Sequence, residues 1–161
     1  MNVIDSVLVE SLSREHLDVM KALNEPRKDL DLAKDLGLED TQVRIILNDL
    51  HERKLVSYRK TKNNDTGWVT HYWSRREEML SHYTQDYLKK RINSLDRKLH
   101  NHTKNLNFKC GCKVVGYDKA IDDSFECARC GEPYIEFNDP KAVEAKVVEL
   151  TRLNSMLQQL T

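Results

Sequence analysis

Apolar residues recur every three or four positions near the start of the chain, which is the spacing of one helix face. The first such run predicts a helix over residues 5–23, and Asn24-Glu25-Pro26 ends it. A short second helix ends at Gly37, a residue suited to the left-handed conformation that follows many helices. Asp40 caps a third predicted helix, residues 40–53. The apolar stripe of that helix is formed by Val43, Ile46, Leu47 and Leu50.

After the third helix the hydrophobic period changes to two, which predicts β-strands. The strands are residues 55–61 and 68–73, and a turn rich in Asn, Asp and Gly joins them. Three helices followed by a β-hairpin are the element order of a winged helix, a relative of the helix-turn-helix. Because side chains alternate along a strand, Trp68 and Trp73 point to opposite faces. We expect Trp73 in the core and Trp68 exposed at the tip of the hairpin, which is the wing.

The second half of the chain is predicted to contain two longer helices. Ser74-Arg75-Arg76-Glu77 has the form of a capping box, and the apolar stripe behind it runs from Leu80 to Leu99. Asp139-Pro140 opens the last helix, with a matching stripe from Val143 to Leu160. Narrow stripes of this kind need a partner in water. We expect the two helices to pair antiparallel, with dimerisation through the same seam as the alternative.

All four cysteines lie between these helices, as the pairs Cys110-Gly-Cys112 and Cys127-Ala-Arg-Cys130. Disulfides are rare inside cells, whereas structural zinc takes four thiolates supplied as two close pairs. We therefore predict one structural Zn²⁺ per chain, bound by Cys110, Cys112, Cys127 and Cys130. The first pair is one residue shorter than the usual knuckle, which makes zinc occupancy the point to test. Gly111 is expected to permit the tighter turn, and His100 and His102 are the alternative ligands.

The predicted fold is mainly α with a small β component. It consists of an N-terminal winged helix, an antiparallel helical pair and a zinc ribbon inserted between the two helices. The expected divisions are a winged-helix domain, a linking helix, the ribbon and a C-terminal helix that pairs with the linking helix. Their ranges are 1–74, 75–107, 108–139 and 140–161.

The charges of the chain are balanced but segregated. The chain has 26 Lys and Arg against 26 Asp and Glu. Residues 1–52 hold six basic and twelve acidic residues, whereas residues 53–76 hold seven basic residues and one acidic residue. Such a block is often only a solvated surface, but here aromatic residues interleave with it, and aromatic rings can stack on bases while cations meet phosphates. The candidate nucleic-acid-binding residues are Arg59, Lys60, Lys62, Trp68, Tyr72, Arg75 and Arg76.

Several functional classes are excluded by absent patterns. No apolar run exceeds three residues, so no membrane span is expected, and the first residues do not form a secretory signal. We therefore expect a soluble, intracellular protein, cytoplasmic and associated with the nucleoid. The sequence contains no Gly-rich phosphate loop and no nucleophile or metalloprotease motif, so we predict that the protein is not an enzyme.

The combination of motifs resembles a known family. Leu36-Gly37-Leu38, the helix from Val43 to Leu50, and the hairpin with Gly67-Trp68 and Tyr72-Trp73 resemble the winged helix of archaeal transcription factor E. That factor is the counterpart of the alpha subunit of eukaryotic transcription factor IIE. The segment from Phe108 to Gly131 is similar to its zinc ribbon and stands between the same two helices. The resemblance covers nearly the whole chain.

The resemblance implies a general transcription initiation factor without enzymatic activity. Such factors bind the clamp and stalk of RNA polymerase in the pre-initiation complex and assist TATA-binding protein and transcription factor B. They promote promoter melting and stabilise the open complex, with the winged helix near the non-template strand of promoter DNA and the ribbon on polymerase. The resemblance further implies a monomer or a partner of a second factor E subunit.

Two other functions remain as alternatives. The first is a dimeric winged-helix repressor whose helix 40–53 binds operator DNA and whose thiolate site senses metal. That helix carries three acidic residues against Arg44 and Arg53, whereas major-groove helices are seldom net acidic, because many of their contacts go to phosphates. The second alternative is an interaction scaffold without nucleic-acid contact.

Overall fold

The computed structural model describes residues 2–104, 107–137 and 140–160. It is mostly helical with two small antiparallel sheets, as predicted, and it divides into two compact units. The first unit is Met1–Leu88 with Gln159–Thr161, and the second is Lys89–Gln158. None of the helices in the described ranges is long and apolar enough to cross a membrane.

The first unit begins with four helices and then forms a hairpin. Its helices are α1 (Val3–Ser11), α2 (Arg14–Ala22), α3 (Asp29–Leu36) and α4 (Asp40–Glu52). Its strands are β1 (Arg27–Lys28), β2 (Val56–Lys62) and β3 (Val69–Arg75).

The single helix predicted over residues 5–23 is wrong, because the chain breaks it at Leu12 and Ser13. The Ser13 hydroxyl accepts a hydrogen bond from the backbone N–H of His16 at 3.3 Å and so caps α2. The apolar spacing continues across the break because both helices bury their stripes in the same core. The boundary between the two helices is therefore marked by the capping serine and not by a change in the apolar periodicity.

The end of α3 is as predicted, whereas the N-cap of α4 lies one residue earlier than predicted. Gly37 ends α3 with φ of 66°, which is the predicted left-handed position. The predicted cap at Asp40 is wrong by one residue, because Glu39 is the N-cap of α4. Glu39 and Gln42 form a reciprocal capping box in which the Gln42 side chain accepts from the Glu39 backbone N–H at 3.1 Å.

The hairpin forms a three-stranded antiparallel sheet in the order β1-β3-β2. Tyr58 lies opposite Trp73, and Lys60 lies opposite His71. The two-residue strand β1 covers the base of β3 and was not predicted, since so short a segment carries no alternation. Helices followed by this sheet constitute the predicted winged helix, with residues 56–75 as its wing.

One apolar cluster holds the winged helix together. Leu17, Leu47 and Leu55 are fully buried within it, and Trp73 is only 7% exposed, as predicted. Leu80 from the next helix, α5 (Glu77–Lys104), joins the same cluster. The predicted capping box at the start of α5 is wrong, because Ser74 pairs with Ser57 inside the sheet.

The second unit contains the ribbon. Its elements are β4 (Asn107–Lys109), β5 (Val114–Gly116), α6 (Tyr117–Asp122) and β6 (Ile135–Glu136). The strands form an antiparallel sheet in the order β5-β4-β6. Ala120, Cys127 and Tyr134 are its buried residues, and the Tyr134 hydroxyl donates to Asp123 at 2.7 Å.

The last helix, α7 (Pro140–Gln159), begins at the predicted proline, whereas its predicted cap, Asp139, lies outside the described residues. Arg91 of α5 donates to Glu149 of α7 at 3.1 Å. The antiparallel pairing of the two helices and the predicted domain boundaries stay predictions.

Candidate metal centre and nucleic-acid interface

The four predicted ligand cysteines lie together in the ribbon. Their sulfur atoms are all within 4.8 Å of one another. Cys112 Sγ is 3.5 Å from Cys110 Sγ and 3.6 Å from Cys127 Sγ. His100 does not belong to this group, which is the only cluster of three or more candidate ligands in the described ranges. The side chain of His102 lies outside those ranges.

Two tight loops bring the cysteines together. The first joins β4 to β5, and its Cys110 N–H donates to the carbonyl of Lys113 at 3.1 Å. In the second loop the Cys127 N–H donates to the carbonyl of Glu132 at 2.9 Å. Gly131 in this loop has φ of 74°, a conformation that favours glycine.

The role expected for Gly111 differs from the one observed. Its backbone does not adopt a left-handed conformation, so the short first pair needs no glycine for that reason. A Cβ at this position would instead meet the Glu132 carboxylate at 3.0 Å. The glycine that the backbone conformation requires is Gly131, which lies in the loop of the second cysteine pair, where the cysteines have the usual spacing.

The sulfur positions fit a tetrahedral zinc ion. Zinc bound to four thiolates at about 2.3 Å places the sulfur atoms about 3.8 Å apart. The separations of 3.5 and 3.6 Å around Cys112 are close to that value. Both cysteines of the short Cys110-Gly-Cys112 pair therefore belong to the same cluster as the other two cysteines. Four thiolates would complete the coordination of zinc and leave no open position for catalysis.

The four thiols differ in their tendency to ionise. The backbone N–H of Cys130 donates to the Cys127 sulfur and lowers the pKa of that thiol to about 6. The hydrogen bond with the Cys110 sulfur raises the pKa of Cys112 to about 12. A metal ion that binds all four sulfurs must therefore displace protons from the cluster.

The aromatic residues of the wing divide between the core and the surface. Trp68 is 75% exposed at the tip, as expected, while Trp73 is buried. The Tyr58 ring lies 5.0 Å from the Trp73 ring and 5.2 Å from the His71 ring, measured between centroids. His51 of α4 lies 5.3 Å from Tyr58. The surface of the wing that carries these rings therefore faces α4.

Strand pairing assigns the wing residues to two faces. The face toward α4, which we call the groove face, carries Tyr58, Lys60, Lys62, Val69, His71 and Trp73. The opposite face, which we call the outer face, carries Ser57, Arg59, Thr61, Thr70, Tyr72 and Ser74. The predicted nucleic-acid residues are thus divided, since Lys60 and Lys62 are on the groove face and Arg59 and Tyr72 on the outer face.

The predicted cations also differ in what they contact. Arg59, Lys60 and Lys62 are exposed and form no ion pair with the described residues. Arg75 donates to the carbonyl of Met20 at 3.1 Å and pairs with Glu77, while Arg76 pairs with Glu78. The charges at the base of the wing are therefore already compensated, and the free positive charge lies along β2.

Helix α4 presents a different surface from the wing. The basic residues of this region are occupied, because Arg44 of α4 donates to Asp29 at 2.7 Å and Arg53, the C-cap of α4, pairs with Asp49. Ile45 on this helix is 69% exposed. An apolar and acidic helix of this kind is poorly suited to phosphate contacts.

The structure places three further residues at the surface of the wing that were not among the predicted nucleic-acid-binding residues. His71 carried a signal, because it alternates with Trp73 along one strand. Lys28 carried none, because its place beside the Tyr72 ring, at 5.7 Å, depends on the pairing of β1 with β3. His51 likewise reaches Tyr58 only through the packing of α4 on the wing.

Comparisons with known proteins agree with this architecture. The family model described as "TFIIE alpha subunit" matches residues 2–109. The chain is 31% identical over 126 residues to transcription factor E of Thermofilum pendens, covering 76% of this chain and 70% of that protein. It is 30% identical over 132 residues to transcription factor E of Methanocaldococcus jannaschii, covering 81% and 76%. The corresponding protein of Natronomonas pharaonis is 29% identical over 131 residues, covering 80% and 75%.

A solved structure shows the same fold. It is described as a "possible transcriptional regulator" from Methanosarcina mazei Go1, and it aligns with a TM-score of 0.53 at 21% identity. The alignment covers 62% of this chain and 84% of that one. Transcription factor E homologues are non-enzymatic regulatory factors, which agrees with the class predicted from the sequence. The resemblance is confirmed: this chain is a transcription factor that belongs to the TFIIE alpha subunit family.

Proposed function

We propose that this protein is a general initiation factor that acts on RNA polymerase, with the wing on the melted promoter and the ribbon on the polymerase. In this proposal it binds the clamp and stalk, assists TATA-binding protein and transcription factor B, and stabilises the open complex through the non-template strand. The observation that carries it is the charge distribution of the winged helix. The helix that would enter a major groove is apolar and acidic, whereas the wing has exposed cations beside Trp68.

The wing suits single strands better than duplex DNA. Proteins that bind single strands combine a positively charged track with aromatic rings on which bases stack. Lys60 and Lys62 supply the track, and Trp68 supplies an accessible ring. Stacking on one such ring contributes about 1–3 kcal/mol, and the cations add a salt-dependent contribution.

The ribbon suits a protein surface. Val114 and Ile135 are 58% and 65% exposed, and both lie opposite Lys109 in the sheet, so these three residues share its outer side. Exposed apolar residues rimmed by charge are typical of docking surfaces. We propose that one structural zinc ion, bound by the four cysteines, keeps this surface in shape.

The proposal is tested by assembly with purified archaeal RNA polymerase, with and without its stalk, followed by permanganate footprinting of the promoter. We expect the chain to be retained by the complete polymerase and to increase the reactivity of thymines in the melted region. Trp68→Ala should reduce that increase with little loss of thermal stability, because the side chain is exposed.

A pair of matched double variants separates the wing from general charge effects. Lys60→Glu with Lys62→Glu should reduce promoter opening, whereas Lys89→Glu with Lys90→Glu makes the same charge change on exposed positions of α5. Equal losses in both would contradict a role for the wing. A stable dimer that protects an operator palindrome would favour the repressor alternative instead.

A further inference from the structure

A groove of about 610 Å³ lies between the wing and helices α3 and α4. This volume is within the range of small-ligand sites, about 300–1,000 Å³, and far too small for a DNA duplex. The groove combines aromatic rings, an amide and cations. Its lining residues include Lys28, Arg44, Asn48, Tyr58, Trp68 and His71.

The groove face of the wing supplies cations next to this groove. Lys60 lies opposite His71 and Lys62 lies opposite Val69, and both of those partners line the groove. Side chains of directly opposed residues are neighbours on one face of a sheet. The Lys60 ammonium is also 6.0 Å from the centroid of the Tyr58 ring. Arg59 has the same charge but lies on the outer face.

Charge differs between the two walls of the groove. On the helix side, the Arg44 guanidinium is bound to the Asp29 carboxylate, so α3 and α4 offer a neutral pair and the Asn48 amide. Lys28, the further cation that lines the groove, belongs to the sheet through β1. On the wing side, Lys60 and Lys62 have no carboxylate partner in the described part of the chain. A phosphate is therefore favoured beside the wing, and an uncharged group with hydrogen-bonding edges is favoured beside α4.

We propose that this groove holds one unpaired nucleotide of single-stranded DNA. Its base stacks against Trp68 or Tyr58 and meets the Asn48 amide, while its phosphates meet Lys60 and Lys62. The inference rests on the proposed function, because it places the melted strand on one of the two faces of the wing. In this proposal the outer face, which carries Arg59 and Tyr72, contributes only long-range electrostatic attraction to the DNA.

The test uses the full chain, a thymidine oligonucleotide and the intrinsic fluorescence of the protein. The chain has two tryptophans, Trp68 and Trp73, and both line the groove. The prediction that they point to opposite faces is wrong, because Trp68 precedes β3 and strand alternation does not apply to it. We expect saturable quenching by the single strand at physiological salt and much weaker binding of a duplex of equal length. Lys60→Glu should weaken binding about tenfold and reduce the slope of log K against log salt by about 0.7 for one lost phosphate contact.

Arg59→Glu is the matched control, one residue away on the outer face. Its side chain projects from the opposite side of the sheet, and exposed charges are weakened further by salt, so this variant should change the Kd by no more than about twofold. A second pair compares the rings. Tyr58→Leu should weaken binding about tenfold through lost stacking, whereas Tyr72→Leu should not. Circular dichroism checks that each variant is folded.

Three results would overturn the groove proposal. The first is an equal loss of oligonucleotide affinity in the groove-face and outer-face variants. The second is duplex binding as tight as single-strand binding. The third is the absence of oligonucleotide binding, which would favour an apolar protein segment as the occupant of the groove. None of them decides the proposed function, which is measured by polymerase retention and promoter footprints. Conversely, loss of polymerase retention with intact groove binding would reject the initiation role and keep the groove.

Discussion

The winged helix and the ribbon are stabilised in different ways. Among the described residues, the winged-helix core buries fifteen hydrophobic side chains in one cluster. The ribbon core buries three residues, and one of them is the predicted ligand Cys127. Units with so little apolar burial need a cross-link or a metal to fold. We therefore expect the winged helix to fold on its own apolar core and the ribbon to depend on a metal held by its four sulfur atoms.

Removal of one sulfur ligand should have the largest effect. Cys127→Ser should release zinc and unfold residues 108–137 while the winged helix stays folded, because structural zinc supplies about 10–16 kcal/mol to such modules. Elemental analysis should give about one zinc per wild-type chain and less in the variant, and NMR should show which residues lose their structure. Arg129→Ala, between the same two cysteines, is the control. A ribbon that stays ordered without metal would contradict the comparison.

A large-to-small change in the winged-helix core should destabilise the winged helix and leave the ribbon folded. Leu47 is fully buried, so Leu47→Ala should lower the free energy of unfolding of the winged helix by about 3 kcal/mol. The ribbon should keep its zinc. Denaturant titration monitored by tryptophan fluorescence measures the first effect. Ile45→Ala, an exposed position on the same helix, should change stability by less than about 0.5 kcal/mol. Zinc loss from Leu47→Ala would show that the two regions are coupled.

A smaller change tests the part of ribbon stability that does not come from metal. Tyr134→Phe removes the hydrogen bond to Asp123 and keeps the buried ring, so it should cost about 1 kcal/mol. This corresponds to about a fivefold lower apparent zinc affinity in a chelator competition. Tyr117→Phe, an exposed tyrosine in the same unit, is expected to have no effect. A loss as complete as that of Cys127→Ser would show that packing, not metal, dominates the ribbon.

The smallest expected effect is a pH dependence confined to the winged helix. Burial raises the pKa of Asp49, but hydrogen bonds from His16 and Arg53 outweigh it and hold the pKa below the ordinary 3.8. A depressed pKa stabilises the fold above the unfolded-state pKa, and this stabilisation is lost as the pH falls through the folded-state value. Asp49→Asn should therefore be less acid-sensitive than the wild type between about pH 5 and 3, by about 1 kcal/mol or less for a partly exposed pair.

The acid titration is followed by thermal unfolding at each pH. Asp18→Asn is the matched control, because Asp18 forms a more exposed pair with Arg14 at 3.6 Å. If both variants change the pH profile equally, the network of Asp49 contributes nothing beyond a surface charge.

The sequence predicted those features whose determinants are local. Gly37 at the end of α3, the alternation along β2 and β3 and the two cysteine pairs each depend on neighbouring residues. The structure confirms the first two and brings the four cysteines together. Trp73 could be placed in the core because one face of the wing had to cover α4.

The errors arose where tertiary contacts override a local signal. Ser74 and Glu77 have the spacing of a capping box, but pairing of Ser74 with Ser57 keeps Ser74 in the sheet. The groove could not be predicted at all, because it requires Lys28, Asn48 and Tyr58 from three separate elements. Local chemistry identified the wing, whereas the surface it forms with α4 depends on the fold.

The position of β2 in its sheet has a consequence for solubility. With the order β1-β3-β2, this seven-residue strand lies at an edge, where unpaired N–H and carbonyl groups can recruit a strand of another molecule. Arg59, Lys60 and Lys62 stand along that edge, and like-charged lysines oppose such pairing between copies. The two lysines that we assign to DNA, together with Arg59, thus also protect the free protein from edge-to-edge aggregation. Glutamate replacements keep the edge charged, whereas alanine replacements at all three positions would favour self-association.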